Sequence, residues 1–114
     1  MELEAISHEI FFSRVQQEPE LSDDLDKLLE FIRDKKASLV IDLSQVDIIT
    51  STSLTRFDKL WKHCSENSHH LVLCNASPVT RGIFTITQLD LNEFESDKAN
   101  AIELVKLYME DSNK

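Results

Sequence analysis

The sequence predicts one α/β domain, with a mixed, mostly parallel β-sheet of about four strands and about four α-helices packed on it. Short apolar runs of strand length alternate with longer amphipathic stretches, and such alternation needs crossover helices and hence parallel pairing. The chain has 114 residues, of which 41% are hydrophobic, enough for one ordinary core. No internal repeat, low-complexity stretch or long linker divides it, so residues 1–114 form a single domain whose core spans roughly 9–109.

The elements follow in order. Glu9–Val15 (EIFFSRV) reads as a strand. Ser22 then caps a helix with Asp23 and Asp24 in its first turn, where negative charge suits the helix dipole. Leu21, Leu25, Leu28, Leu29 and Ile32 make its apolar stripe, and Arg33, Lys35 and Lys36 close it. A strand at Leu39–Leu43 ends in the polar turn after Asp42. A second apolar run (Val46, Ile48, Ile49) stops at four consecutive hydroxyl residues, Thr50-Ser51-Thr52-Ser53. A helix begins there and runs through Ser65, with Leu54, Phe57, Trp61 and Cys64 at helical spacing. Another strand occupies His70–Asn75. Ser77-Pro78 opens a third helix, proline standing where its missing N–H costs nothing, with Val79, Ile83, Phe84 and Ile86 facing inward. Phe94 belongs to a short last strand. The final helix spans about Lys98–Met109, with Ala101, Leu104, Val105 and Tyr108 inward.

Composition excludes several classes of function. The net charge of −9 opposes direct nucleic-acid binding, which relies on Lys and Arg to displace counterions. The acid is concentrated at Glu18–Asp26 and Asp90–Asp97. No run approaches the ~18 apolar residues of a transmembrane helix. The acidic start, MELEAISHEI, lacks the charged n-region and apolar stretch of a secretory signal. Two cysteines make no disulfide framework and fit a reducing, cytoplasmic setting. One glycine, Gly82, in the whole chain leaves no glycine-rich phosphate loop.

The hydroxyl run is the most informative feature. Ser and Thr cap helices because their oxygens accept the unpaired N–H groups of the first turn, but one hydroxyl suffices for that. Four exceed the need, and the positive end of a helix is a favourable place for a phosphate.

These residues resemble the STAS domain, and within it the bacterial anti-sigma factor antagonists. The first pattern, v-l-D-l-s-x-V-x-f-i-D-S-[ST]-G-L, is matched by Asp42, Leu43, Ser44, Val46, Ile49, Ser51, Thr52 and Leu54. The second, l-v-l followed by S-P-x-V-x-r-i-f-x-i-t-G-L, is matched by Leu71, Val72, Leu73, Ser77, Pro78, Val79, Ile83, Phe84, Thr87 and Leu89. The resemblance implies a non-enzymatic, cofactor-free switch protein. It would bind an anti-sigma factor that is also a serine kinase, be phosphorylated at Ser51 or its neighbour Thr52, and be restored by a cognate phosphatase. Thr50, Ser51, Thr52, Ser53, Thr55, Arg56 and Lys59 would form the partner-binding surface, with Arg56 and Lys59 pointing outward from the helix.

Two positions depart from the family pattern. Thr50 stands where it has aspartate, and Ser53 where it has glycine. The first change removes an acid able to cap the helix or orient the acceptor, and the second adds a side chain where a kinase must approach. A scaffold subunit without phosphorylation, as in a lipid-transport ATPase complex or a stressosome-like assembly, would tolerate both. A sensor of a small ligand is a third reading, disfavoured for nucleotides by the missing glycine loops and the acidic balance. His63, Cys64, His69, His70 and Cys74 carry metal-ligating chemistry but lack the paired Cys-x-x-Cys spacing of zinc sites, so no metal is expected. No base and orienting acid accompany any nucleophile at a telling spacing. The oligomeric state is left open.

Overall fold

Strict alternation of side chains along three buried strands decides the architecture. The computed structural model describes residues 1–86 and 94–112. Within them the order is β1 (Glu2–Ala5), β2 (Ile10–Arg14), α1 (Glu20–Ile32), β3 (Ser38–Asp42), α2 (Ser51–Glu66), β4 (Leu71–Cys74), α3 (Pro78–Ile86), β5 (Phe94–Glu95) and α4 (Lys98–Ser112). The strands lie side by side in sequence order; β2 to β5 run parallel and β1 is antiparallel to β2. Right-handed crossovers that always step in one direction place their helices on one face of the sheet. There Phe11, Leu39, Ile41, Leu71 and Leu73 meet Leu21, Leu25, Leu28 and Ile32 of α1, Phe57 and Leu60 of α2, and Phe84 of α3. The alternate residues Ile10, Phe12, Val40, Val72 and Cys74 point the other way and are covered by Ala101 and Val105 of α4. Among the described residues α4 joins no two strands, and it takes that second face.

The sheet therefore has five strands among the described residues, one more than the sequence suggested. The addition is β1, whose four residues are all exposed. With no buried face it leaves no periodic signal. Polar contacts hold it instead: Arg14 pairs with Glu2 at 2.8 Å, Ser13 Oγ donates to the Glu2 carbonyl at 2.8 Å, and Lys98 pairs with Glu4 at 2.7 Å.

Three helices differ in detail from expectation. α1 begins at Glu20, and Ser22 lies inside its first turn rather than capping it. The capping acceptor is Glu18, whose carboxylate takes the Ser22 N–H at 2.6 Å and the Ser22 hydroxyl at 2.9 Å. In α2 the buried face is Ser53, Phe57, Leu60 and Cys64, while Leu54 and Trp61 sit half-buried on its flank. In α3, Ser77 caps as expected, accepting the Thr80 N–H at 3.1 Å. Its buried residues, however, are Thr80 and Phe84; Val79 and Ile86, expected inward, are 67% and 82% exposed. Phe84 fixes this rotation by packing edge-on against Phe57 and Phe94, with ring centroids 5.3 and 5.5 Å away. Tyr108 is half-buried, its ring 4.7 Å from that of His70. Thr87, Leu89 and Asp90 lie outside the described residues. No helix among the described residues is long and apolar enough to cross a membrane.

At the entry to β4, the buried Ser38 hydroxyl accepts the His70 N–H at 3.0 Å and lies 3.1 Å from His69 Nδ1. Burial, opposed by the charge of Glu9 and aided by that of Lys36, pulls the His69 pKa below its usual value. A depressed histidine pKa means that the unfolded chain binds the proton more readily, so stability is full above about pH 6.5 and declines as pH falls below it. Urea unfolding at pH 7.5 and 5 should show a smaller acid loss in His69→Gln than in the wild type. An equal loss in both would place the sensitivity elsewhere.

Candidate functional site

The carboxyl ends of the parallel strands converge on Asp42. Its side chain is 1% exposed, and a carboxylate so buried must find donors. Oδ1 accepts the Ser44 N–H at 2.7 Å, turning the chain sharply after β3. Oδ2 accepts from the Asn75 side-chain amide at 2.9 Å, and Asn75 itself adopts the left-handed backbone (φ 56°) that this short polar side chain tolerates. Arg14, at the end of β2, approaches Oδ2 to 3.6 Å while also pairing with Glu2. Burial pushes the Asp42 pKa up, but the hydrogen bonds from Ser44 and Asn75 and the Arg14 charge outweigh it and hold the carboxyl below its ordinary range. One ionised side chain thus joins the ends of β2, β3 and β4.

From this platform the chain runs through buried Val46 and Ile49 to the hydroxyl residues at the start of α2. The four hydroxyls divide into two pairs. Thr50, extended at φ −99° and ψ 164°, is the N-cap: its Oγ1 accepts the Ser53 N–H at 3.2 Å. Ser53 Oγ in turn accepts the Thr50 N–H at 3.0 Å, completing a reciprocal capping box in which serine does the work of the usual Glu or Gln. Ser51 and Thr52, between them, are exposed, and among the described residues their hydroxyls make no hydrogen bond.

Both departures from the family pattern are thereby accounted for together. Thr50 and Ser53 are partners, each supplying what the other's backbone needs. Ser53 has no exposed surface, so its assignment to the partner-binding surface is corrected: its side chain is turned into the domain. The turn does without glycine because no residue in it has a positive φ.

A second set of contacts reaches the turn from residues 17 and 18, which the sequence did not mark as part of the site. Gln17 Oε1 accepts the N–H groups of Asp47 and Ile48, and its Nε2 donates to the Ile48 carbonyl at 2.9 Å. Glu18 Oε2 accepts the Thr50 hydroxyl at 3.3 Å while its carboxylate also holds Ser22. The only sequence hint was an acid four residues before the Ser22 of a helix start. Arg56, expected to point outward, is half-buried and paired with Asp26 of α1 at 2.9 Å, its NH1 donating to the Thr52 carbonyl at 3.3 Å. Thr55 is exposed, with its hydroxyl on the Ser51 carbonyl at 3.0 Å, and Lys59 is exposed one turn further along. Ile48, 65% exposed, adds an apolar side chain beside the turn.

The His and Cys residues are scattered. Cys64 and Cys74 are buried free thiols, each pushed up to about 12, mainly by burial. His63 Nε2 faces the Lys35 carbonyl at 3.3 Å, and His69 faces Ser38. Among the described residues no three His, Cys, Asp or Glu side chains are grouped to hold a metal ion.

The family described as STAS domain matches residues 5–101. No curated protein matches the sequence. Among solved structures the fold is similar to the anti-sigma factor antagonist SpoIIAA in its unphosphorylated form, with TM-score 0.77 and 15% identity over 92% of this chain and 95% of that one. It is also similar to the Bacillus cell fate determinant SpoIIAA in its phosphorylated form, with TM-score 0.72 and 15% identity over 91% of this chain and 97% of that one. A Thermotoga maritima protein assigned as an anti-sigma factor antagonist gives TM-score 0.71 and 15% identity, covering 92% of this chain and 93% of that one.

Two variants probe this geometry. Asp42→Ala leaves buried donors unpaired and should lower stability by about 2–4 kcal/mol at neutral pH. The wild type should approach it as pH falls below about 3.8, because a depressed carboxyl pKa confers stability that is lost in acid; a flat acid limb would contradict that. Thr50→Asp keeps a capping oxygen but sets a carboxylate against Glu18. It should be less stable at pH 7 than Thr50→Asn, and the gap should close in a Glu18→Gln background. Equal stability of the two variants in the native background would show that Glu18 is not close enough to matter.

Proposed function

This chain belongs to the STAS domain family, and from that premise we propose that it is an anti-sigma-factor-antagonist type of partner switch. It acts by binding rather than catalysis. Its partner is a cytoplasmic anti-sigma factor that is also a serine kinase, docking on the exposed end of α2 at Ser51, Thr52, Thr55 and Lys59, beside Ile48. The kinase would use ATP: Ser51 Oγ bonds to the γ-phosphorus, the bond from that phosphorus to the ADP oxygen breaks, and the hydroxyl proton passes to a base on the kinase. A phosphatase returns the hydroxyl by hydrolysis.

The observation that carries this reading is the division of the hydroxyl run. Thr50 and Ser53 satisfy the helix end, so Ser51 and Thr52 are surplus to the fold and open to a partner. A phosphate adds about −1.5 to −2 charges and suits the first turn of a helix inside the domain. A surface complementary to a neutral hydroxyl would then reject it by repulsion and by the cost of burying the charge. One of the similar structures is a phosphorylated SpoIIAA, which is consistent with a fold that accepts the modification. The scaffold alternative drew its support from Thr50 and Ser53, and their pairing as a cap gives those residues a reason unconnected with loss of a switch.

The test is mass spectrometry of the protein from its native cells, with peptide mapping across Ile49–Arg56. One phosphate on Ser51 or Thr52 is expected in some growth or stress condition, with Ser51→Ala identifying which. A peptide that stays unmodified in every condition overturns switching and favours the scaffold role.

A further inference from the structure

The acceptor turn is not anchored only by its own helix. Four hydrogen bonds from Gln17 and Glu18 grip residues 47–50, across some thirty residues of sequence. The Glu18 carboxylate is shared: Oε1 takes the Ser22 N–H at 2.6 Å, and Oε2 takes both the Ser22 hydroxyl at 2.9 Å and the Thr50 hydroxyl at 3.3 Å. One negative side chain thus caps α1 and touches the residue next to Ser51, a single Cα step of about 3.8 Å along the chain. An acid at position 50, as in the family pattern, would face Glu18 directly, so the local carboxylate is supplied here from α1's side of the turn. The charged side chains of the adjoining segments are Glu20, Asp23 and Asp24 at the start of α1, the last accepting the Gln16 N–H at 3.0 Å, together with exposed Asp47 and with Arg56, already paired with Asp26.

We propose that Glu18 is a latch reading the charge of Ser51. A phosphate there repels the carboxylate, releases it from Thr50 and Ser22, and loosens the first turn of α1. The consequence of phosphorylation would then extend from α2 to a second helix, giving a phosphatase or a second partner a local change to recognise. This rests on the assignment of Ser51 as the acceptor, but its mechanism can be tested without the kinase.

Phosphoserine is placed at position 51 by genetic incorporation, and its second ionisation is followed by phosphorus NMR. Glu18 disfavours the dianion, so Glu18→Gln should lower that pKa by roughly half a unit or more. Gln17→Ala, which frees the loop and keeps the charge, should leave it unchanged. Amide exchange supplies the second readout: the Ser22 N–H should exchange several-fold faster with phosphoserine than with serine in the wild type, and equally fast in Glu18→Gln. A phosphate pKa indifferent to Glu18→Gln, or a Ser22 amide indifferent to phosphoserine, overturns the latch. Because the modification is installed directly, such a result leaves the kinase reading standing, whereas an unmodified native peptide removes that reading and leaves the coupling intact.

Discussion

A buried carboxylate at the end of the central strand is the constraint on which the functional end of this domain depends. Asp42 has to be ionised to accept from Ser44 and Asn75 and to attract Arg14, and it has to be satisfied because almost none of it meets water. Its donors come from three different segments. The fold therefore cannot shift one strand end without leaving charge or amide unpaired, and the chain leaving β3 starts from a fixed point and direction. The register of the parallel strands supplies the rest: Asp42 lies opposite Arg14 on one side and Cys74 on the other. Cores of this kind tolerate exchange among apolar residues of similar volume, but no apolar side chain can take over these two hydrogen bonds and the ion pair to Arg14.

Built on that platform, the start of α2 shows how a hydroxyl-rich turn can be structural and available at once. A capping box consumes two of the four side chains and is worth about 1 kcal/mol by the usual cost of losing an N-cap. The remaining two owe nothing to the fold. That separation matters because a hydroxyl committed to a cap must give up its hydrogen bond before it can react or be read by another protein. The neighbouring contacts from Gln17, Glu18 and Arg56 immobilise the backbone on either side, so the exposed pair is presented on a rigid support.

Much of this was legible in the sequence, for identifiable reasons. The parallel sheet could be read because β3 and β4 are short apolar runs bounded by polar residues, and the helices beside them carry clear stripes. Ser77-Pro78 was recognised because its cap uses the adjacent residues. What escaped notice depended on side-chain contacts that leave no periodic pattern. β1 is an exposed strand fixed by Arg14, Ser13 and Lys98, and the cap of α1 comes from Glu18 rather than the nearer Ser22. The rotation of α3 was misjudged because Val79 and Ile86 are as apolar as Phe84, and only the packing of Phe84 between Phe57 and Phe94 sets which flank turns inward. In the hydroxyl run the sequence leaves open which residues cap the helix: local identity marks every one as a good cap, and only geometry says which two reciprocate.

The sealed cysteines have a practical meaning. With both thiols buried and their pKa pushed up to about 12, mainly by burial, far less of either is thiolate at pH 7 than of an ordinary exposed cysteine. Electrophiles and mild oxidants would therefore pass the native protein by. A single thiol introduced on the open side of the turn would stand alone as a reactive handle, so a fluorophore, spin label or crosslinker could be fixed beside the acceptor without first stripping the chain of its own cysteines.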